Sequence, residues 1–217
     1  MDGLLLDTER IYLGALFKAA RAVDQVMTEA FAHSMIGVPG KECDAMIAAH
    51  YGPGFSLALF KGTFQSAVKA ELAAGVPLRP GARELVTYLA EQGIPLALAT
   101  SSRRASAEDH LRRAALLAYF AVIVAREDVE NPKPAPDPFL VAAARLSVAP
   151  ADCLALEDSH HGITAAHAAG MMAIMVPDLL AATDAMRTKC IAVADDLHAV
   201  AALLRIARAS PAASASS

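Results

Sequence analysis

Apolar residues recur at helical spacing from Glu9 to Asp24 and from Gly40 to Tyr51, and more loosely from Phe55 to Ala74. Turn signals separate these stretches at Gly37-Val38-Pro39-Gly40 and at Gly52-Pro53-Gly54. No strand pattern interrupts them, so the first third of the chain reads as a helical bundle. The pattern changes at Pro77. Pro80 opens a helix with apolar positions Leu85, Val86 and Leu89, and Gly93 closes it. Short apolar runs follow at Ile94 to Ala99, Ala121 to Ala125, Leu154 to Leu156, Met172 to Val176 and Ile191 to Val193. Between them lie helical stretches, one after Ser102, one at Phe139 to Leu146, one at Gly162 to Ala169, and a last one at Leu197 to Arg208. Ser102 and Asp137 are placed to cap two of these. Strands alternating with helices of this length predict an α/β fold, a Rossmann-like parallel sheet with helices on both faces.

Ligands bind such sheets beyond the carboxyl ends of the strands, so the residues that follow each apolar run carry the argument. Ile94 to Ala99 delivers Thr100-Ser101-Ser102, a hydroxyl followed by N–H groups at a helix start. That is a phosphate cradle or simply a helix cap. The run ending at Ala125 leads to Asn131-Pro132-Lys133-Pro134, where two prolines restrict the loop that bears Lys133. This is a fixed cation for phosphate or a solvated loop lysine. Leu154 to Leu156 ends in Glu157-Asp158, two adjacent carboxylates that repel unless a cation or base is close. Their oxygens suit magnesium, although an acidic turn is the plain alternative. Successive strands of one sheet would turn hydroxyl, lysine and carboxylates toward a common point, and that joint pattern is far more specific than any member.

Four segments together resemble the haloacid-dehalogenase superfamily: MDGLLLDTE at Met1 to Glu9, PLALATSS at Pro95 to Ser102, NPKPAPDPFL at Asn131 to Leu140, and LALEDSHHGITAAHAAGM at Leu154 to Met171. The branch is the one with a helical cap inserted near the N-terminus, similar to beta-phosphoglucomutase and pseudouridine-5′-phosphatase. The resemblance implies residues 1–8 as the start of the core and the hinge, 9–76 as the cap and 77–208 as the core, and the small, polar composition of residues 209–217 predicts a disordered tail. It implies a Mg2+-dependent phosphatase of small phosphorylated metabolites, acting through an aspartyl-phosphate. That family opens with D-x-D-G. Asp2 and Gly3 match the second Asp and the glycine, so the nucleophilic Asp would precede Met1, and protein made strictly from Met1 is expected to be inactive and poorly folded. Asp2 is implied as general acid and base, with its backbone carbonyl on the metal. Gly3, Thr100, Ser101, Ser102 and Lys133 are implied around the phosphate, Thr100 and Lys133 also as catalytic groups. Asp158 is implied as the main metal carboxylate and Glu157 as its helper.

The cap would close over the substrate and supply selectivity, with Tyr12, Lys41, His50 and Lys61 as candidate contacts. The mutase branch usually has a His where this chain has Tyr12, which favours phosphatase over mutase. The opening MDGLLLDTERIY, with GIPLALATSS and MVPD, points to a nucleotide or sugar monophosphate. A binding protein without catalysis is the third reading. His33, His110, His167 and His198 read as structural or solvated, and His160 and His161 as neighbours of the site mouth.

Composition narrows this picture modestly. A 55% apolar, 19% charged chain of 217 residues can bury a sizeable core. A net charge of −4 without a basic run argues against nucleic acid. Cys43, Cys153 and Cys190 are odd in number and far apart, which suggests a reducing compartment rather than a disulfide framework. With acids at the N-terminus and no long apolar run, a cytoplasmic monomer with no membrane partner is expected.

Overall fold

A computed structural model describes residues 1–35, 38 and 40–209. The turn signal at Gly37 and Pro39 and the tail beyond 209 therefore lie outside the described residues. Contacts divide the chain into two compact units, Asp7–Val76 and the remainder, which combines Met1–Leu6 with the chain from Pro77 onward.

The helical unit contains α1 (Thr8–Ala22), α2 (Glu29–Ser34), α3 (Gly40–Tyr51) and α4 (Leu57–Ala74). Helix α2 is absent from the sequence expectation, being too short for a periodic signal. Its start is fixed by Thr28, whose hydroxyl accepts from Phe31 N at 3.2 Å, and Ser56 does the same for α4 through Leu59 N at 3.3 Å. Ala19, Ala20, Met27, Ala32, Met35, Ile47 and Phe60 form the core of this unit. The alanines keep α1 thin where Phe60 is buried.

The second unit carries α5 (Ala82–Glu91), β1 (Leu96–Ala99), α6 (Arg104–Arg113), β2 (Phe120–Val124), α7 (Asp137–Leu146), β3 (Leu154–Glu157), α8 (His160–Ala168), β4 (Met172–Met175), α9 (Asp184–Arg187), β5 (Ala192–Val193) and α10 (Leu197–Ala209). The strands are parallel throughout, but among the described residues they pair as two sheets, β1 with β2 and β3-β4-β5, rather than as one. Between β1 and β3 the N-terminal residues form a turn instead of a ladder. Met1 O accepts from Leu5 N at 2.8 Å and Leu6 N at 3.1 Å, and Gly3 takes φ +74°. Side chains of Met1, Leu4 and Leu5 line an apolar cavity of about 380 Å3 with residues of β1, β3 and α7.

Two expected caps are not caps. Helix α6 follows Arg103, which makes no side-chain cap bond, and Ser102 is engaged elsewhere. Helix α7 follows Pro136, and Asp137 instead accepts from Asn131 Nδ2 at 3.0 Å. At α5, Gly81 has φ +82°, and a Cβ there would overlap the backbone of His198 at the start of α10. That glycine therefore allows the two helices to approach.

Candidate active site

The β1/β2 ladder continues one residue past β1, since Thr100 N donates to Val124 O at 2.9 Å. Thr100 is buried, and its Oγ1 accepts from Ser102 N at 3.1 Å. Ser102 Oγ then donates to Asp2 Oδ2 at 2.8 Å. Arg126 N donates to Ser102 O at 3.1 Å, which joins the loop after β2 to the loop after β1. That second loop is anchored by Asp128, which accepts from Ala125 N at 2.7 Å and pairs with Arg104 and Arg145. The Ala125 hydrogen bond above all, and then these arginines, hold its carboxyl below the usual carboxylate range.

Lys133 is brought in beside this region. Its Nζ donates to Ala99 O at 3.0 Å, lies 4.8 Å from the Phe139 ring centroid and forms an ion pair with Glu157 Oε1. The Lys133 and Glu157 side chains are 8% and 7% exposed, so each charge depends on the other. Ser159 Oγ donates to the second Glu157 oxygen at 3.2 Å and also caps α8 by accepting from Gly162 N at 3.0 Å. Burial pushes the Glu157 carboxyl up, but Lys133 and the Ser159 hydrogen bond contribute to an opposing pull that wins, and the group lies below its ordinary value. Asp158 moves the other way. Burial first, and the Glu157 carboxylate second, push it up to about 7. Asp158 in turn abuts Gly3, where a Cβ would overlap its Oδ2. Asp2, Thr100, Ser102, Lys133, Glu157 and Asp158 are thus linked in a closed circuit at the carboxyl ends of β1 and β3.

The haloacid dehalogenase-like hydrolase profile matches residues 1–176. The chain belongs to that family. A Thermotoga maritima phosphorylated-carbohydrates phosphatase is 34% identical over 171 residues, covering 79% of this chain and 79% of the relative. A Drosophila melanogaster protein provisionally assigned as a pseudouridine-5′-phosphatase is 36% identical over 184 residues, 82% of this chain and 79% of that one. A crystal structure from Thermotoga maritima, provisionally described as a beta-phosphoglucomutase, superposes with a TM-score of 0.83 at 31% identity, covering 95% of this chain and 96% of its own. By family, this haloacid dehalogenase-like hydrolase is an enzyme of phosphatase type.

The remaining expected residues are placed as follows. Ser101 is exposed beside Thr100. Tyr12, Lys41 and Lys61 line a cavity of about 690 Å3 inside the helical unit, where Lys61 pairs with Asp44. His50 is instead stacked on Phe31 with centroids 3.8 Å apart. His160 Nε2 lies 2.9 Å from Ala181 O. Three features were not found by sequence reasoning: His110, whose Nδ1 is 4.0 Å from Asp2 Oδ1; the Arg79–Asp178 ion pair at 2.8 Å; and Gly162, where a Cβ would overlap the Glu157 carboxylate. Asp178 had a signal, since it lies two residues past the run at β4. His110 had none, because it occupies a position on the apolar stripe of α6.

The donor chemistry here fits magnesium. No group of three or more His, Cys, Asp or Glu side chains among the described residues could hold a metal ion by itself. Magnesium, however, is commonly held by one or two carboxylates and completed by water and substrate phosphate. Asp158 and Asp178 both approach the same point, within reach of a Cβ at Gly3. A cation there would offset the burial and repulsion that raise Asp158. Both Glu157 oxygens are committed to Lys133 and Ser159, which leaves Glu157 behind Asp158 rather than beside it.

Proposed function

We propose that the protein hydrolyses small phosphomonoesters, sugar or nucleotide monophosphates, as a cytoplasmic monomer using Mg2+. The observation that carries this reading is the circuit joining Asp2, Thr100, Lys133 and Asp158 at the carboxyl ends of β1 and β3. Thr100 and the neighbouring N–H groups receive phosphate oxygens, with Ser101 and Ser102 alongside. Lys133 offsets charge on the phosphoryl group and on the attacking carboxylate. On the D-x-D-G pattern, that carboxylate belongs to the position ahead of Met1. Its oxygen bonds to phosphorus as the bond to the leaving oxygen breaks, and Asp2 gives its proton to that oxygen. Asp2 then takes a proton from water, whose oxygen displaces the aspartyl carboxylate and releases phosphate. Asp158 and the Asp2 carbonyl would hold magnesium, which supplies charge neutralisation at the transferring group.

Protein with an Asp ahead of Met1 is expected to release phosphate from a monophosphate panel only when Mg2+ is present. Asp158→Ala and Lys133→Ala should each lose most of that activity. Unchanged turnover in chelator, or in either variant, would overturn this assignment. The likeness to a structure described as a beta-phosphoglucomutase favours one second reading, phosphosugar mutase. Faster isomerisation than hydrolysis of glucose 1-phosphate would establish it.

A further inference from the structure

Helix α6 turns Ala107, His110 and Leu111 inward. His110 is 6% exposed, and its buried Nδ1 makes no hydrogen bond among the described residues. A buried imidazole nitrogen without a partner is unfavourable, and side chains of this kind are normally satisfied in a core. The charged group that Nδ1 faces is the carboxylate of Asp2, with Oδ1 at 4.0 Å. The other Asp2 oxygen is held by Ser102 at 2.8 Å. The two groups come from one continuous segment, the loop after β1 and the helix that follows it. They address the two oxygens of one carboxylate separately. A movement of about 1 Å would complete the second hydrogen bond.

We propose that His110 is a positioning residue for Asp2, donating from Nδ1–H to Oδ1 while Ser102 donates to Oδ2, so that the pair fixes the plane of the carboxylate that transfers the proton. The proposal rests on reading Asp2 as the acid and base. His110 touches neither the phosphate nor the leaving group in this scheme. Its effect is confined to steps in which Asp2 gives or takes a proton. Departure of 4-nitrophenolate needs no proton, whereas departure of a sugar alkoxide does, and hydrolysis of the aspartyl-phosphate needs Asp2 as base in both cases.

The test uses the protein with an Asp ahead of Met1 and compares it with its His110→Ala and His110→Asn variants, the latter because an amide N–H can replace the Nδ1 donor. With 4-nitrophenyl phosphate, His110→Ala should keep a stoichiometric burst of 4-nitrophenolate while steady turnover falls about tenfold, a part of the usual contribution of acid–base catalysis. With a sugar phosphate the burst itself should slow, KM should change less than twofold, and His110→Asn should recover most of the loss. With 4-nitrophenyl phosphate, burst and turnover falling together or turnover unchanged would overturn the proposal, as would an Asn variant no better than Ala. If His110→Ala does not fold, as judged by its thermal melt, the Asn variant alone decides, and near-normal turnover is the expected result. Crystal structures supply a readout independent of activity. In His110→Ala, the Asp2 carboxylate should rotate about its contact with Ser102, and an unmoved carboxylate would sink the idea. If the protein with an Asp ahead of Met1 releases no phosphate, that refutes the functional reading alone, and these crystal structures would still decide the positioning role.

Discussion

Lys133 and Glu157 are each less than a tenth exposed, and neither charge could remain there alone. Asp158 stands beside them, and its carboxyl is pushed from 3.8 to about 7, by burial first and by Glu157 second. An acid with a raised folded-state pKa binds more protons folded than unfolded. Its stabilising effect is therefore fully present below pH 3.8 and is lost as pH rises through about 7. Urea unfolding in chelator should show wild type losing stability relative to Asp158→Asn across that window, and a flat difference would count against a perturbed Asp158. Magnesium should shrink the difference, because it opposes the same repulsion. That Thr100, Lys133 and Asp158 come together was legible in the sequence, because each lies in the segment after an apolar run of a parallel sheet. His110 was not. Its spacing with Ala107 and Leu111 is that of any core position, and its nearness to Asp2 arises across more than a hundred residues of chain.

At the scale of elements, α8 holds the acidic loop in place. Ser159 serves both the helix and Glu157, and the absence of a side chain at Gly162 leaves room for the Glu157 carboxylate. Gly162→Ala gains helix propensity in principle, yet it should destabilise the protein by about 1–3 kcal/mol through overpacking. It should also slow turnover by displacing the Lys133–Glu157 pair. Ser159→Ala should cost about 0.5–2 kcal/mol as a lost cap. Denaturant midpoints for the two variants check both values, and a Gly162→Ala protein as stable as wild type would show that Glu157 has room to move. Helix and strand types were readable from periodicity at this scale, but their starts were less so. Ser102 and Asp137 have cap-forming side chains, but Asp2 and Asn131 use them instead.

Across the whole molecule, two cores are built by different means. The helical unit closes on Phe60 and α1 alanines, while the other packs alanines and methionines of α8 and β4 against Phe139 and Ile163. Phe60→Ala should cost the helical unit about 3–5 kcal/mol. Amide exchange should then speed up in α1 and α4 while β1 to β4 keep their protection. Equal loss in both units would mean that they unfold as one. The chain leaves the second unit after Leu6 and rejoins it at Pro77, and Leu6 is paired with Leu78 in an antiparallel bridge, with Arg79 N donating to Leu5 O at 2.9 Å. To the sheet-bearing unit, everything between is topologically a hairpin loop whose ends are already fastened. Closure entropy rises only with the logarithm of loop length, about 0.6 kcal/mol per doubling. A lineage could therefore enlarge, trim or exchange the insert while the catalytic scaffold stays nearly indifferent, and a protein engineer could graft a foreign helical bundle at the same two residues.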